Sequence, residues 1–501
     1  MTEPSTDAVN IGASASPSPQ ARQDHPDRLP ATTRLVIGLL VVSAFVVILN
    51  ETIMSVALPR LMEDLDITAS TAQWLTTGFL LTMAVIIPAT GYLLQRFHMR
   101  PVFITAMALF SLGTLVAALA PGFGTLLTGR VLQASGTAVM MPLLMTTVLN
   151  SVPAHRRGAM MGTISIVMSV APAAGPTVSG LILSVLDWRW MFWIVLPIAL
   201  LALTLGAVWI RNLTTPRSTP FDVLSIILSA VAFGGLIFGL SSMGEGAEGH
   251  MIMPLWVPLT VGVVALAAFI ARQLVLQRTD TALLDLRTFT RPAFVIAILI
   301  VAVSMCALFG SLIVLPLYLQ NVLGLDTLAT GLLLLPGGVV MAVLAPIVGR
   351  LFDRVGPRPL VIPGALIVTV ALWGMTLLNA DTSIGLVVLV QCVLNAGLGF
   401  LLTPLLTSAL GSLPSDLYSH GSAIVGTVQQ LAGAAGTALF ITLMATGTAN
   451  ANADGIEGVD ASAAGVQLAF LVGALISLGA LVVSFFVRRP TNPLPQGVAI
   501  H

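Results

Sequence analysis

Fourteen mostly apolar stretches, parted by short polar connections, fill nearly all of the chain between residues 34 and 488. A helix needs about 20 apolar residues to cross the hydrocarbon of a bilayer. Lipid offers the backbone no hydrogen-bond partners, so each run is expected to satisfy its own N–H and C=O groups as a helix. The runs lie at 34–57, 72–95, 102–120, 123–150, 158–186, 189–211, 221–243, 254–276, 292–318, 329–350, 359–379, 383–411, 419–447 and 465–488. Only 8% of residues are charged, against roughly a quarter in a soluble domain, so the chain cannot cover a surface in water. The implied class is an all-α integral membrane protein.

The basic residues number 21, all arginine, and 21 acidic residues balance them. No basic stretch resembles a nucleic-acid footprint. The absence of lysine removes the phosphate-loop lysine of an ATP-driven pump and Schiff-base chemistry. Cytoplasmic loops carry the excess positive charge of a membrane protein. Placing both termini in the cytoplasm puts every arginine on that side except Arg60 and Arg189, which fall outside, and Arg130, which falls within a run. The expectation is a multi-pass protein of the plasma or inner membrane, with cytoplasmic tails at 1–33, polar and disordered, and 490–501. Cys306 and Cys392 lie inside apolar runs with no ligand-like spacing, so neither a disulfide nor a metal is expected, and no cofactor.

A repeat follows the second and tenth runs. Gly91-Tyr-Leu-Leu-Gln95-Arg96-Phe-His98-Met-Arg100-Pro101 and Gly349-Arg-Leu-Phe-Asp353-Arg354-Val-Gly-Pro-Arg358-Pro359 align glycine, arginine and proline in register. The copies are equivalent if runs seven and eight are inserted between two six-helix halves, and repeated halves are the usual build of secondary transporters. These loops resemble the G-x-L-x-D-R-x-G-R-K signature of the major facilitator superfamily, and fourteen runs resemble its drug:proton antiporter branch. The resemblance implies a major-facilitator-type fold: an N-terminal half at 34–211, two linking helices at 212–285 and a C-terminal half at 286–489. It also implies that Gly91, Arg96, Arg100, Gly349, Asp353, Arg354 and Arg358 brace helices and bias two access states. Gln95 stands where the second copy has its acid. A topology anchor is the plainer reading of Arg96 and Arg100.

Glu51 is the one acidic residue placed well within a run, and an ionisable group there points to function. Its surroundings, Leu49-Asn50-Glu51-Thr52, resemble the first-helix motif of the antiporter branch, where an acid follows the leucine; Asn-Glu-Thr is similar to the variant of lincomycin-resistance exporters. Arg130, in Gly129-Arg130-Val-Leu-Gln133-Ala-Ser-Gly136, resembles the arginine motif of the fourth helix. Both charges lie at similar depth and could meet. Proton affinity at Glu51 would then depend on the approach of Arg130, a coupling step, or else the two form a static ion pair that fixes packing. In the fifth run, Gly175 and Pro176 lie in a segment resembling the antiporter motif and suit a bending helix or a packing seam.

Asn50, Trp74, Gln133, Tyr318, Gln391, Asn395 and Gln429 are candidates for a substrate cavity, with helix-to-helix hydrogen bonding the competing role. Met140, Met141, Met145, Met168 and Met341 could add an adaptable greasy wall. The leading functional reading is a proton-coupled exporter of drugs or other small amphipathic compounds, working by alternating access as a monomer. The alternatives are export of an amino acid, diamine or siderophore, and, less well supported, a membrane-embedded enzyme acting on lipid. No Ser-His-Asp set or H-E-x-x-H pair supports the enzyme.

Overall fold

The computed structural model describes residues 30–67, 69–153, 156–210, 212, 222–245, 254 and 256–488. The expected tail at 490–501 and most of that at 1–33 lie outside them. The helices are α1 (Ala31–Leu65), α2 (Ala69–Arg96), α3 (Met99–Ala118), α4 (Phe123–Ser151), α5 (Arg157–Leu183), α6 (Arg189–Trp209), α7 (Val223–Glu245) and α8 (Trp256–Leu276). They continue as α9 (Pro292–Asn321), α10 (Thr327–Val355), α11 (Arg358–Met375), α12 (Ile384–Gly411), α13 (Tyr418–Ala453) and α14 (Val459–Ser484). All fourteen are long and apolar enough to cross a membrane.

Several boundaries differ from the reading of the sequence, most of all those of α1, α13 and α14. Helix α1 begins at Ala31 rather than 34 and runs on to Leu65. Helix α13 extends to Ala453 and α14 starts at Val459, so the expected long loop at 448–464 shrinks to five residues. Apolarity marks only the part of a helix that lies in lipid, whereas Asn450 and Asn452 hold helical geometry beyond it. The short loop turns at Gly455 and Gly458, whose φ of 83° and 70° favour glycine.

Helices α1–α6 pack among themselves, as do α9–α14, and the two groups meet along α5 with α10 and α2 with α13. Helix α7 rests against both α2 and α13, and α8 packs on α7. Close approach relies on small residues, since lipid supplies no hydrophobic drive for helices to associate. A side chain on Gly349 would run into the backbone of Gly158, and one on Gly162 would meet the Ala345 carbonyl at 2.6 Å. Helices α5 and α10 are thereby in near-backbone contact at the arginine-rich end.

The linking hairpin is tied down by polar contacts. Arg272 of α8 donates to Asp222, before α7, at 3.0 and 2.8 Å. Buried Gln273 donates to the Ser225 hydroxyl at 2.7 Å and accepts from the Leu283 and Leu284 amides at 2.8 and 3.2 Å. Trp188, just before α6, is fully buried, while Trp190 and Trp193 are exposed.

Candidate functional site

A cavity of about 1470 Å³, its open mouth included, lies between the two groups of helices. Helices α1, α2, α4 and α5 form one wall; α9, α10, α12 and α13 form the other. Among the described residues, Glu51 is its sole ionisable lining residue. Most of the lining is apolar, with Met83, Met141, Met168, Met305 and Met341 around it, and Phe309 is the one aromatic among the described residues. Thioethers on unbranched chains fill irregular space and repack readily, which suits ligands of differing shape.

Arg130 is wholly buried beside this wall. Its Nη1 donates to the Asn50 side-chain and backbone oxygens at 3.2 and 3.4 Å and to Gln133 Oε1 at 3.2 Å; its Nε donates to the Leu75 carbonyl at 3.4 Å. The guanidinium sits 4.1 Å over the Phe79 ring, a cation–π contact. Gln133 passes the chain on to the Thr114 hydroxyl at 2.8 Å, so one arginine links α1, α2 and α4 and reaches α3. Its Nη2 has no hydrogen-bond partner among the described residues.

The anticipated meeting of Glu51 and Arg130 does not occur as an ion pair among the described residues, and Asn50 is the reason. Neighbours on an α-helix point about 100° apart. The amide therefore turns to the arginine while the carboxylate turns to the cavity. Next in sequence, the Thr52 hydroxyl is 3.4 Å from the Ala171 carbonyl of α5, and Gly175 leaves room for Thr52. That contact gives Gly175 a packing role at the α1–α5 seam. The side chain of Pro176 lies outside the described residues.

Of the proposed cavity residues, Gln391, Asn395 and Gln429 line the space, whereas Asn50, Gln133, Trp74 and Tyr318 do not. Asn50 and Gln133 serve Arg130. Trp74 packs against Phe238 of α7, ring centroids 5.6 Å apart. Tyr318 is buried at the far end of α9, donating to the Asn379 carbonyl at 2.7 Å. Among the methionines, Met140 and Met145 belong to the core, and Met83 and Met305 were missed. Their spacing gave no signal, because on a helix apolar all round nothing in the sequence marks the face turned to a cavity.

At the arginine-rich end the two groups of helices are fastened together. Both carboxylate oxygens of Asp353, on α10, accept from the first amides of α5: Gly158 N at 2.8 Å and Ala159 N at 3.0 Å. A helix N-terminus presents unpaired N–H groups and partial positive charge, so this acid caps α5 from across the seam. Gln95 donates to the Asp416 carbonyl at 3.2 Å, and Arg157 to the Tyr418 hydroxyl at 3.0 Å. Deeper, buried hydroxyls pair across the seam, Thr403 to Ser165 at 2.7 Å and Thr146 with Ser422 at 3.1 Å.

The other loop residues divide. Gly91 lies against buried His420, where a side chain would meet Nδ1 at 3.3 Å. Arg100 holds its own half, donating to the Ala207 carbonyl of α6 at 2.6 Å. Arg96, Arg354 and Arg358 are exposed.

The Major Facilitator Superfamily profile matches residues 40–437. The uncharacterized MFS-type transporter YcnB of Bacillus subtilis is 40% identical over 94% of this chain and 98% of its own. The lincomycin resistance protein LmrB of the same organism is 42% identical over 91% of this chain and 95% of its own. The crystal structure of the human organic anion transporter MFSD10 superposes with a TM-score of 0.65 at 14% identity, over 91% of this chain and all of that one, a likeness of fold. With fourteen membrane-length helices and a cavity between two groups of them, the chain is a multi-pass membrane transporter and belongs to the major facilitator superfamily.

Proposed function

We propose that this protein is a proton-coupled exporter of small amphipathic compounds, drugs among them, which exchanges substrate for protons by alternating access. The observation that carries the reading is Glu51 as the one ionisable group, among the described residues, lining a cavity between the two groups of helices. A carboxylate there can hold a proton or face a cationic substrate, and a site that takes one or the other in turn is an exchanger. One carboxylate gives one-for-one exchange. For a monocation that exchange is electroneutral, and each pH unit across the membrane supports about a tenfold substrate gradient.

The positive-inside bias supports placing the arginine-rich end, and both termini, in the cytoplasm. The Asp353 cap and the hydroxyl pairs then form an inner gate that is closed, with the cavity presented outward. Opening it breaks the α5–α10 contact, and closure on the far side completes the cycle. The name of the LmrB relative favours an antibiotic among the substrates. The test is accumulation of lincomycin by inverted membrane vesicles under an imposed pH gradient. The reading predicts uptake that follows the gradient and collapses with a protonophore; uptake indifferent to both would remove proton coupling.

A further inference from the structure

The two walls of the cavity differ in chemistry. Charge is confined to the wall of α1, α2, α4 and α5, at Glu51. Among the described residues, the facing wall carries no charge but four side-chain amides, Gln391 and Asn395 of α12 and Gln429 and Gln430 of α13. Two of these are left wanting. Gln391 is 8% exposed, and its Oε1 has no hydrogen-bond partner among the described residues; nor has Gln429 Nε2. A buried amide atom without a partner costs free energy, and a ligand group that pairs with it recovers that cost on binding.

Neighbouring atoms keep the row in place. Asn395 Nδ2 donates to the Gln391 backbone carbonyl at 2.9 Å, one turn back along α12. Gly337 of α10 makes room for both, since a Cβ there would come within 2.7 Å of Asn395 Nδ2 and 3.2 Å of Gln391 Cγ. Gln430 has a soft partner in the Met83 sulfur at 3.7 Å. The unpaired acceptor of Gln391 and donor of Gln429 ask for a ligand group that both donates and accepts, a hydroxyl or an amide.

We propose that Gln391, Asn395 and Gln429 form a hydrogen-bonding subsite that selects monocationic amphiphiles bearing hydroxyl or amide groups over purely lipophilic cations. This deepens the exporter reading and rests on it for the role of the cavity. Glu51 faces the single positive charge, the methionines take the apolar body, and the amide row reads the polar end. A dication would leave one charge unpaired in this lining, and an anion would meet a carboxylate with no cation in the lining to receive it, since Arg130 is turned to Asn50, Gln133 and Leu75. Diamines and acidic siderophores are thereby disfavoured.

The test is calorimetric binding to the full-length protein in nanodiscs, with empty nanodiscs correcting for lipid partitioning. The probes are N-octylglucamine and N-methyloctylamine, both secondary octylammonium ions, the first bearing a six-carbon chain with five hydroxyls where the second bears a methyl group. Wild type is expected to bind the glucamine at least tenfold more tightly. Gln391→Leu and Gln429→Leu should each cut the ratio of the two affinities about fivefold, the worth of one neutral hydrogen bond. Gly337→Ala, which crowds the row without removing it, should cut the ratio less. No preference in wild type, a ratio unchanged in the leucine variants, or a loss shared equally by both amines would each overturn the proposal. Binding is read without a pH gradient. A preference for the glucamine with no gradient-driven uptake would therefore count against the exporter and not against the subsite.

Discussion

Asn50 and Glu51 are adjacent in sequence yet serve different partners, one tuning the position of Arg130 and the other facing the cavity. Removing the amide leaves a buried, charged Nη1 with one fewer acceptor. Asn50→Leu is expected to destabilise the fold by about 1–3 kcal/mol, measured as a lower thermal unfolding midpoint in detergent. A second residue-scale test lies outside the membrane spans. Hydrogen bonds from Arg272 hold the Asp222 carboxyl down at about 2, below the ~3.9 of an unfolded chain. Since the folded carboxyl titrates lower, the pair's contribution is complete above about pH 4 and fades as pH falls through about 2. Asp222→Asn should therefore lower the unfolding midpoint equally at pH 5 and pH 8. A deficit that vanished at pH 5 would contradict the assignment. At this scale the sequence was informative about identity and less so about direction. Glu51 and Arg130 stood out because charge in an apolar run is rare. Their lack of an ion pair depended on which way Asn50 points.

Helices are where the sequence was most legible, because about 20 apolar residues leave a spanning chain no other backbone solution. Its failures were at the ends. Polar residues can continue a helix into water, as they do at 448–453 of α13, and hydropathy falls silent there. Helix pairing was legible only through the repeat: Asp353 stood out by position, but its cap on the N-terminus of α5 joins residues 195 apart. That cap should bias the access equilibrium. Capping is worth about 0.5–2 kcal/mol, so Asp353→Asn should speed alkylation of a Leu402→Cys reporter from the arginine-rich side about fivefold. Gly349→Ala, forcing α10 away from Gly158, should act in the same direction. Unchanged labelling in both variants would mean that the seam is not the gate.

For the whole molecule, the arrangement of arginines carries the orientation. Cysteines placed at Gly455, between α13 and α14, and at Arg358, at the start of α11, lie at opposite ends of the protein. A membrane-impermeant maleimide should label the first on intact cells and the second only after permeabilisation; the reverse order would invert the transporter and turn the proposed exporter into an importer. The central claim, that one carboxylate in a cavity between two groups of helices couples protons to substrate, is tested most directly by comparing Glu51→Gln with wild type in proteoliposomes. Lincomycin would be followed in two modes, accumulation driven by a pH gradient and exchange across equal pH. The account predicts that the variant keeps exchange and loses gradient-driven accumulation. Accumulation matching wild type would place coupling elsewhere and leave Glu51 without the role assigned to it.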